Sequence, residues 1–215
     1  MKKIFLLIIF ISAVNNISAQ WDLSLSMGLD FRFSPSFRDY VNSSGFASGG
    51  NILPSFKSSI SFSGEADYKL SNSFALGLEY DLMIDSYTAS LSSGGAYEIA
   101  FIMHRPSVLA YYILPGEGYQ FKFGGGVGPR FVSLSEKINT STNYSASGYG
   151  LILKAEGNTL LSKNFYALIG TNLRYDVTGD VTNPQKPSIV NNATGEKLNL
   201  NAFSFGIYLG VTFIL

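Results

Sequence analysis

The sequence predicts an all-β protein: an eight-stranded antiparallel up-and-down transmembrane β-barrel preceded by a cleaved signal peptide. Three observations carry this. From Leu23 to Leu215, strand-length segments place an apolar side chain at every second position and keep charges on the opposite parity, the period of a strand between two different solvents. Short and long connections alternate between the segments, and an even strand count returns both chain ends to one side of a membrane. The N-terminus carries the parts of an export signal.

The signal is Met1-Lys2-Lys3, the apolar run Ile4 to Val14, and the small-residue stretch Ile17-Ser18-Ala19. The run is shorter than the ~18–20 apolar residues a helical span requires, so cleavage after Ala19 is expected. Residues 1–19 are then the signal peptide and 20–215 the barrel domain. Without Lys2 and Lys3 the chain keeps 13 basic against 15 acidic side chains, a net of −2, and a nucleic-acid partner, which calls for a basic patch, is not expected. No cysteine is present, which excludes a lipoprotein attachment site and disulfide staples. With no second long apolar run, an integral protein of this sequence must be a closed barrel.

The first strand is read over Asp22 to Phe33, where Leu23, Leu25, Met27, Leu29, Phe31 and Phe33 alternate with Asp22, Asp30 and Arg32. The second spans Phe56 to Leu70, with Lys57, Glu65, Asp67 and Lys69 opposite its apolar row. The third, Phe74 to Ser86, places Glu79, Asp81 and Asp85 opposite Leu76, Leu78 and Leu82. The fifth to eighth cover Tyr119 to Ser133, Tyr149 to Leu161, Phe165 to Thr178, and Leu200 to Leu215. In them Lys122, Arg130, Lys154, Glu156, Arg174 and Asp176 again lie opposite the apolar rows. Three connections are tight turns, at Ser71-Asn72-Ser73, Leu114 to Gly118, and Ser162-Lys163-Asn164. The others are long: Ser34 to Ser55, Tyr87 to Ala96, Leu134 to Gly148, and Gly179 to Asn199.

The fourth strand, Tyr97 to Ile113, breaks the rule, because Arg105 shares parity with Tyr97, Ile99, Phe101, Met103, Leu109 and Tyr111. Two readings compete. A bulge near Pro106 shifts the register and turns Arg105 inward, or Arg105 lies at the outer interface and meets lipid phosphates. Counting up from the turn at Leu114 within a ~9–11 residue span favours the second.

Aromatic residues frame the same span. Trp21, Tyr68, Phe74, Tyr119, Phe165 and Phe213 are expected in one interfacial girdle, and Phe33, Phe56, Tyr80, Tyr97, Phe131, Tyr175 and Phe203 in the other. A soluble lipocalin-type barrel also alternates, but it would put the apolar rows inside and needs a mostly polar outer face. The rows opposite the apolar ones hold too many carboxylates and bases for such a protein.

Arg105-Pro106-Ser107-Val108-Leu109-Ala110-Tyr111-Tyr112, followed after a short turn by Phe121-Lys122-Phe123-Gly124-Gly125-Gly126-Val127-Gly128-Pro129-Arg130, resembles the central hairpin of the outer-membrane β-barrel domain family common in Bacteroidetes. The resemblance covers the whole chain after the signal and implies a small barrel of the OmpA/OmpX type in the outer membrane of a Gram-negative cell. It specifies fold more than activity. Two departures stand out: no C-terminal peptidoglycan-binding domain is expected, and the chain closes Phe213-Ile214-Leu215 rather than on an aromatic residue.

Three constellations invite a chemical reading. Gly124, Gly126 and Gly128 lack the following Lys-Ser/Thr and helix of a phosphate loop; inward glycines instead leave room for large neighbours in a narrow barrel. His104, the single histidine, lies three residues from Ser107, whereas a strand-borne Ser–His pair needs a spacing of two or neighbouring strands. The resemblance to lipid A deacylases fails at that spacing. The third constellation is the set of interior charges, Glu65, Asp67, Glu79, Asp81, Lys122, Arg130, Lys154, Glu156, Arg174 and Asp176, expected to plug the lumen with salt bridges because open channels belong to wider barrels. No cofactor and no metal site is expected, with Cys absent and His single. The Asn/Ser/Thr-rich loops read as solvated, with Phe37, Tyr40, Phe46 and Tyr144 available to a surface partner.

The reading is a monomeric outer-membrane barrel without catalysis and with a structural or surface-interaction role. Its expected partners are outer-membrane lipids, lipopolysaccharide among them, and an extracellular ligand of the long loops. A narrow pore for ions or small solutes is the first alternative, and a lipid-modifying enzyme the second.

Overall fold

Eight antiparallel strands close on themselves in chain order in the computed structural model, which describes residues 21–44, 52–91, 95–191 and 194–215. They are β1 (Trp21–Phe33), β2 (Lys57–Ser71), β3 (Phe74–Ser90), β4 (Ala96–Gly116), β5 (Tyr119–Lys137), β6 (Ser141–Ser162), β7 (Phe165–Val177) and β8 (Ala202–Ile214). One helix, α1 (Pro35–Ser43), follows β1. The signal peptide lies outside the described residues. The ring is sealed by β1 on β8, from Asp22 opposite Ile214 to Phe33 opposite Phe203, and both ends meet where the Leu215 amide donates to the Trp21 carbonyl at 2.8 Å. With every strand paired on both sides, no edge is left to template another chain.

The exterior is the apolar row of each strand. Leu23, Leu25, Met27, Leu29 and Phe31 on β1, and Phe203, Phe205, Ile207, Leu209 and Phe213 on β8, are all exposed. That arrangement is stable in hydrocarbon and unstable in water, where contiguous apolar patches rarely exceed a few hundred Å². At the end carrying the short turns, Trp21 packs on Tyr68 with ring centroids 5.2 Å apart and Phe74 on Tyr112 at 5.5 Å, as interfacial aromatics do. Those turns are tight: Gly118 adopts φ 74°, the left-handed region a glycine enters without a Cβ penalty, and bulges at Lys69/Ser71 and Leu160/Ser162 close the other two.

At the opposite end the strands rise beyond the expected boundaries. The β3–β4 hairpin continues to Ser90 opposite Ala96, and β5–β6 to Lys137 opposite Ser141, so most of the predicted loop Leu134 to Gly148 is strand. The segment predicted as the loop Ser34 to Ser55 contains α1. Pro35 sits in the first helical turn, where its missing N–H costs nothing. Phe37 and Val41, four apart and therefore on one helical face, are the residues it buries. From the outer edge of the bilayer upward the polarity inverts: a dry cluster fills the barrel mouth, made of Phe37, Val41 and Leu53 from the α1 region, Met83 from β3, Tyr97, Ile99, Phe101 and Met103 from β4, Val132 and Leu134 from β5, and Val181, Ile189, Leu198 and Leu200 from the last connection.

Candidate functional site

β4 is regular throughout. Its register against β3 is unbroken from Phe74 opposite Tyr112 to Ser90 opposite Ala96, and against β5 the pairs His104–Phe131 and Val108–Val127 belong to one register. That register sets Pro106 opposite Pro129, two residues without N–H donors, and the Arg130 guanidinium donates to the Pro106, Gly128 and Pro129 carbonyls there, the last at 3.0 Å. The whole odd row of β4 therefore points inward. Arg105 is fully buried in the lumen and not at the lipid interface. Tyr97 likewise belongs to the inner cluster and not to the outer girdle. The rule that bases must oppose apolar side chains fails because the mouth of this lumen is apolar.

Glu65, Asp67, Glu79, Asp81, Lys122, Arg130, Lys154, Glu156, Arg174 and Asp176 are all buried inside the barrel, and Arg105 joins them into one chain. From the short-turn end, Lys122 contacts Asp67, Glu156 Oε2 at 3.0 Å and Glu65 at 3.6 Å. Lys154 contacts Glu65, and bridges Glu156 at 2.9 Å and Glu79 at 2.8 Å. Arg174 carries the chain from Glu79 at 2.8 Å to Asp81 at 3.7 Å. Arg105 then holds Asp81 and Asp30 at 2.5 Å each and approaches Asp176 at 3.8 Å. Asp176 accepts from Arg130 Nε at 2.5 Å.

Neutral side chains extend the network. Tyr111 Oη donates to Glu65 at 2.8 Å and Tyr208 Oη to Glu156 at 2.9 Å. Their rings fit because glycines face them: a Cβ on Gly124 would strike the Tyr111 ring, and one on Gly170 the Tyr208 ring. Below, Asp22 pairs with Lys69 at 2.9 Å and accepts from Gln120 at 2.9 Å. Above, Arg32 lies over the Phe101 ring at 5.2 Å and donates to the Leu200 carbonyl, joining the charged lumen to its apolar cap. Asp22, Asp30 and Arg32 were legible from parity. Tyr111 and Tyr208 were not singled out, although each lies on the inward parity of its strand.

The remaining space is small. A gap among Ser26, Ser61, Ser63, Asn172 and Arg174 has a volume of about 10 Å³, room for about one water molecule. Over it sits the cap, where Phe37 meets Phe101 edge-on at 5.5 Å, and Tyr40 and Tyr97 both donate to Glu136 Oε1. Burial, reinforced by the neighbouring Glu136 carboxylate, pushes the Tyr40 phenol well above its ordinary range. Tyr144 also packs against the cap. Of the loop aromatics Phe37, Tyr40 and Tyr144, Phe37 is buried in the cap, whereas Tyr40 and Tyr144 pack against it and stay half-buried. Phe46 lies outside the described residues. Ser107 is inside, within 3.3 Å of Arg130 Nη1, whereas His104 is outside on Tyr80, so the two residues occupy opposite faces of β4.

Comparison with solved structures agrees on the architecture. Neisserial surface protein A superposes with a TM-score of 0.53 at 11% identity, over 91% of this chain and 97% of that one. Ail, the attachment invasion locus protein of Yersinia pestis, in complex with the heparin analogue sucrose octasulfate, gives 0.51 at 12% identity, over 92% and 100%. The fold is that of a small outer-membrane β-barrel. No protein-family model and no curated protein sequence matches the chain, so its likeness to other barrels rests on architecture. Together with the apolar exterior, that architecture is the fold of a multi-pass membrane-spanning β-barrel.

Proposed function

We propose that this protein is a monomeric, non-conducting and non-catalytic outer-membrane barrel with a structural or surface-interaction role. The observation that carries the reading is the continuous luminal ion-pair chain from Asp67 to Arg130 under an apolar mouth. A permeant ion would have to break buried pairs, each of which leaves an uncompensated charge when opened. Complete strand pairing around the ring supports a monomer. The separation of His104 from Ser107 argues against a strand-borne nucleophile and base, which must hydrogen-bond to work.

The surface facing the medium comprises the hairpin tips and the last connection, held by a rigid barrel, the usual arrangement for binding. Ail, crystallised with a heparin analogue, illustrates that a barrel of this size can carry a ligand, and an extracellular ligand of this chain belongs on the same end. Single-channel recording of the refolded protein in a planar bilayer tests the reading, with heat-modifiable gel mobility to prove folding. Silence from folded protein is expected; steady discrete conductance overturns it in favour of a pore.

A further inference from the structure

The exterior rows of β3 and β4 run Phe74, Leu76, Leu78, Tyr80, Leu82, Ile84 and, alongside, Tyr112, Ala110, Val108, Pro106, His104, Ile102. No Asp, Glu, Lys or Arg stands among them. Above Ile84 and Ile102 both rows turn small or polar, at Ser86, Thr88, Ala100 and Glu98, which marks the upper limit of the lipid-facing band. His104 is eight residues along β4 from the girdle residue Tyr112. At ~3.3 Å per residue and a tilt of ~40°, it lies about 20 Å up a band about 25 Å tall. It is thus in the outer leaflet, one exterior position below the band's edge.

Here the Tyr80 hydroxyl and His104 Nδ1 hydrogen-bond at 2.5 Å on the outside of the barrel. Tyr80 is half exposed, and the pair is flanked by exposed Ile102, Val108 and Phe131. Donor arithmetic leaves one group over. A neutral imidazole has one N–H and a phenol one O–H; the pair makes one bond between them, and neither side chain has another partner among the described residues. When Tyr80 donates, the spare donor is the His104 Nε2–H, directed away from Tyr80. A donor left bare in hydrocarbon costs several kcal/mol. Thr171, another polar residue on the exterior parity, spends its hydroxyl on the Gly206 carbonyl at 2.8 Å and has no such need.

We propose that Tyr80 and His104 form a lipid-binding site whose spare donor hydrogen-bonds the acyl-linkage carbonyl of an outer-leaflet lipid. An isolated neutral donor just below the edge of the band, without exterior bases beside it, suits a carbonyl, which lies beneath the headgroup. A phosphate would call for a cationic cluster. The inference rests on the outer face meeting lipid.

His104 is the single histidine of the sequence, so its imidazole ¹⁵N and N–H signals need no assignment. The mature barrel is placed in nanodiscs of ester-linked phosphatidylcholine and of its ether-linked analogue, which keeps the phosphate and lacks the carbonyls. Heat-modifiable mobility and co-elution with the disc establish folding and insertion in both. Expected is an Nε2–H that exchanges with water about tenfold more slowly in the ester lipid, the effect of a hydrogen bond worth about 1.4 kcal/mol. Tyr80→Phe is expected to release Nδ1 and spread the proton over both ring nitrogens. Equal protection in the two lipids assigns the acceptor to phosphate and overturns the carbonyl. Equally fast exchange in the two lipids, with no protection of the Nε2–H in either, overturns the site altogether. A folded barrel that fails to enter either disc overturns the lipid-facing reading beneath it.

Discussion

Arg105 and Asp30, 75 positions apart in sequence, meet inside the barrel at 2.5 Å, and the same guanidinium holds Asp81. Both carboxylates are buried with it. Removing the base leaves two like charges in a dry site, and breaking a buried pair in this way costs about 3–5 kcal/mol. Arg105→Met is therefore expected to lower the urea midpoint of the folded barrel sharply, and Arg105→Lys less, since one ammonium cannot reproduce the fork that spans both acids. The triple variant Arg105→Met, Asp30→Asn, Asp81→Asn is expected to recover most of the loss. A triple variant as unstable as Arg105→Met would mean that shape, and not charge, sets the requirement.

Gly170 and Tyr208 face each other across β7 and β8, and a side chain at Gly170 would enter the space of the phenol ring. Gly170→Val is expected to cost about 1–3 kcal/mol by overpacking. Adding Tyr208→Ala should relieve the clash, so that the double variant is more stable than additivity of the single changes allows. Strict additivity in a double-mutant cycle would dissociate the two positions.

What was legible and what was not divides near the outer edge of the membrane, at the level of Arg105. Within the bilayer the exterior is apolar and the lumen charged, and strict parity assigns Glu65, Asp67, Glu79, Lys122, Lys154 and Arg174 to one face without ambiguity. Above the bilayer the outside is wet and the mouth is dry. There the same test reads backwards: Tyr97, Ile99, Phe101 and Met103 look lipid-facing yet point inward, and Ser141, Asn143, Ser145 and Ser147 look like loop yet form the wet outer row of β6. Arg105 sits at the changeover, which is why its side was misassigned. Helix α1 was missed for a different reason. Its nine residues carry one short apolar face, Phe37 and Val41, and so short a helix owes its existence to the cap it packs on rather than to propensity.

Tyr40 and Glu136 join α1 to β5. Tyr40→Phe removes a hydrogen bond to a charged acceptor, an effect of about 1.5–3 kcal/mol, and Tyr97 remains to satisfy the carboxylate. The expected result is faster amide exchange in α1 with an unchanged barrel. The pH dependence follows from the raised phenol: the neutral form is favoured in the folded cap, so its contribution is complete below the unfolded value of about 10 and is lost as pH climbs through the higher folded value. Once the intrinsic base catalysis of exchange is divided out, the opening free energy of α1 in the wild type should therefore fall only in strong alkali, whereas that of Tyr40→Phe lacks this component.

Two closures lie in series along the axis, and they should fail independently. Phe37→Ala empties the contact with Phe101 and leaves a cavity in the cap, a change that costs about 3–5 kcal/mol in a well-packed core and less where α1 can detach. The ion-pair chain beneath does not include Phe37, and Arg32 keeps its place over the Phe101 ring and its bond to the Leu200 carbonyl. Phe37→Ala is therefore expected to raise protease sensitivity of the segment between β1 and β2 while the protein stays electrically silent. Conductance should require both closures to be opened, as in Phe37→Ala combined with Arg105→Met, Asp30→Asn and Asp81→Asn, where the cap is loosened and the ion-pair chain is cut at its joint. Steady current from Phe37→Ala alone would make the cap the sole barrier and would assign the luminal charges to lining a path.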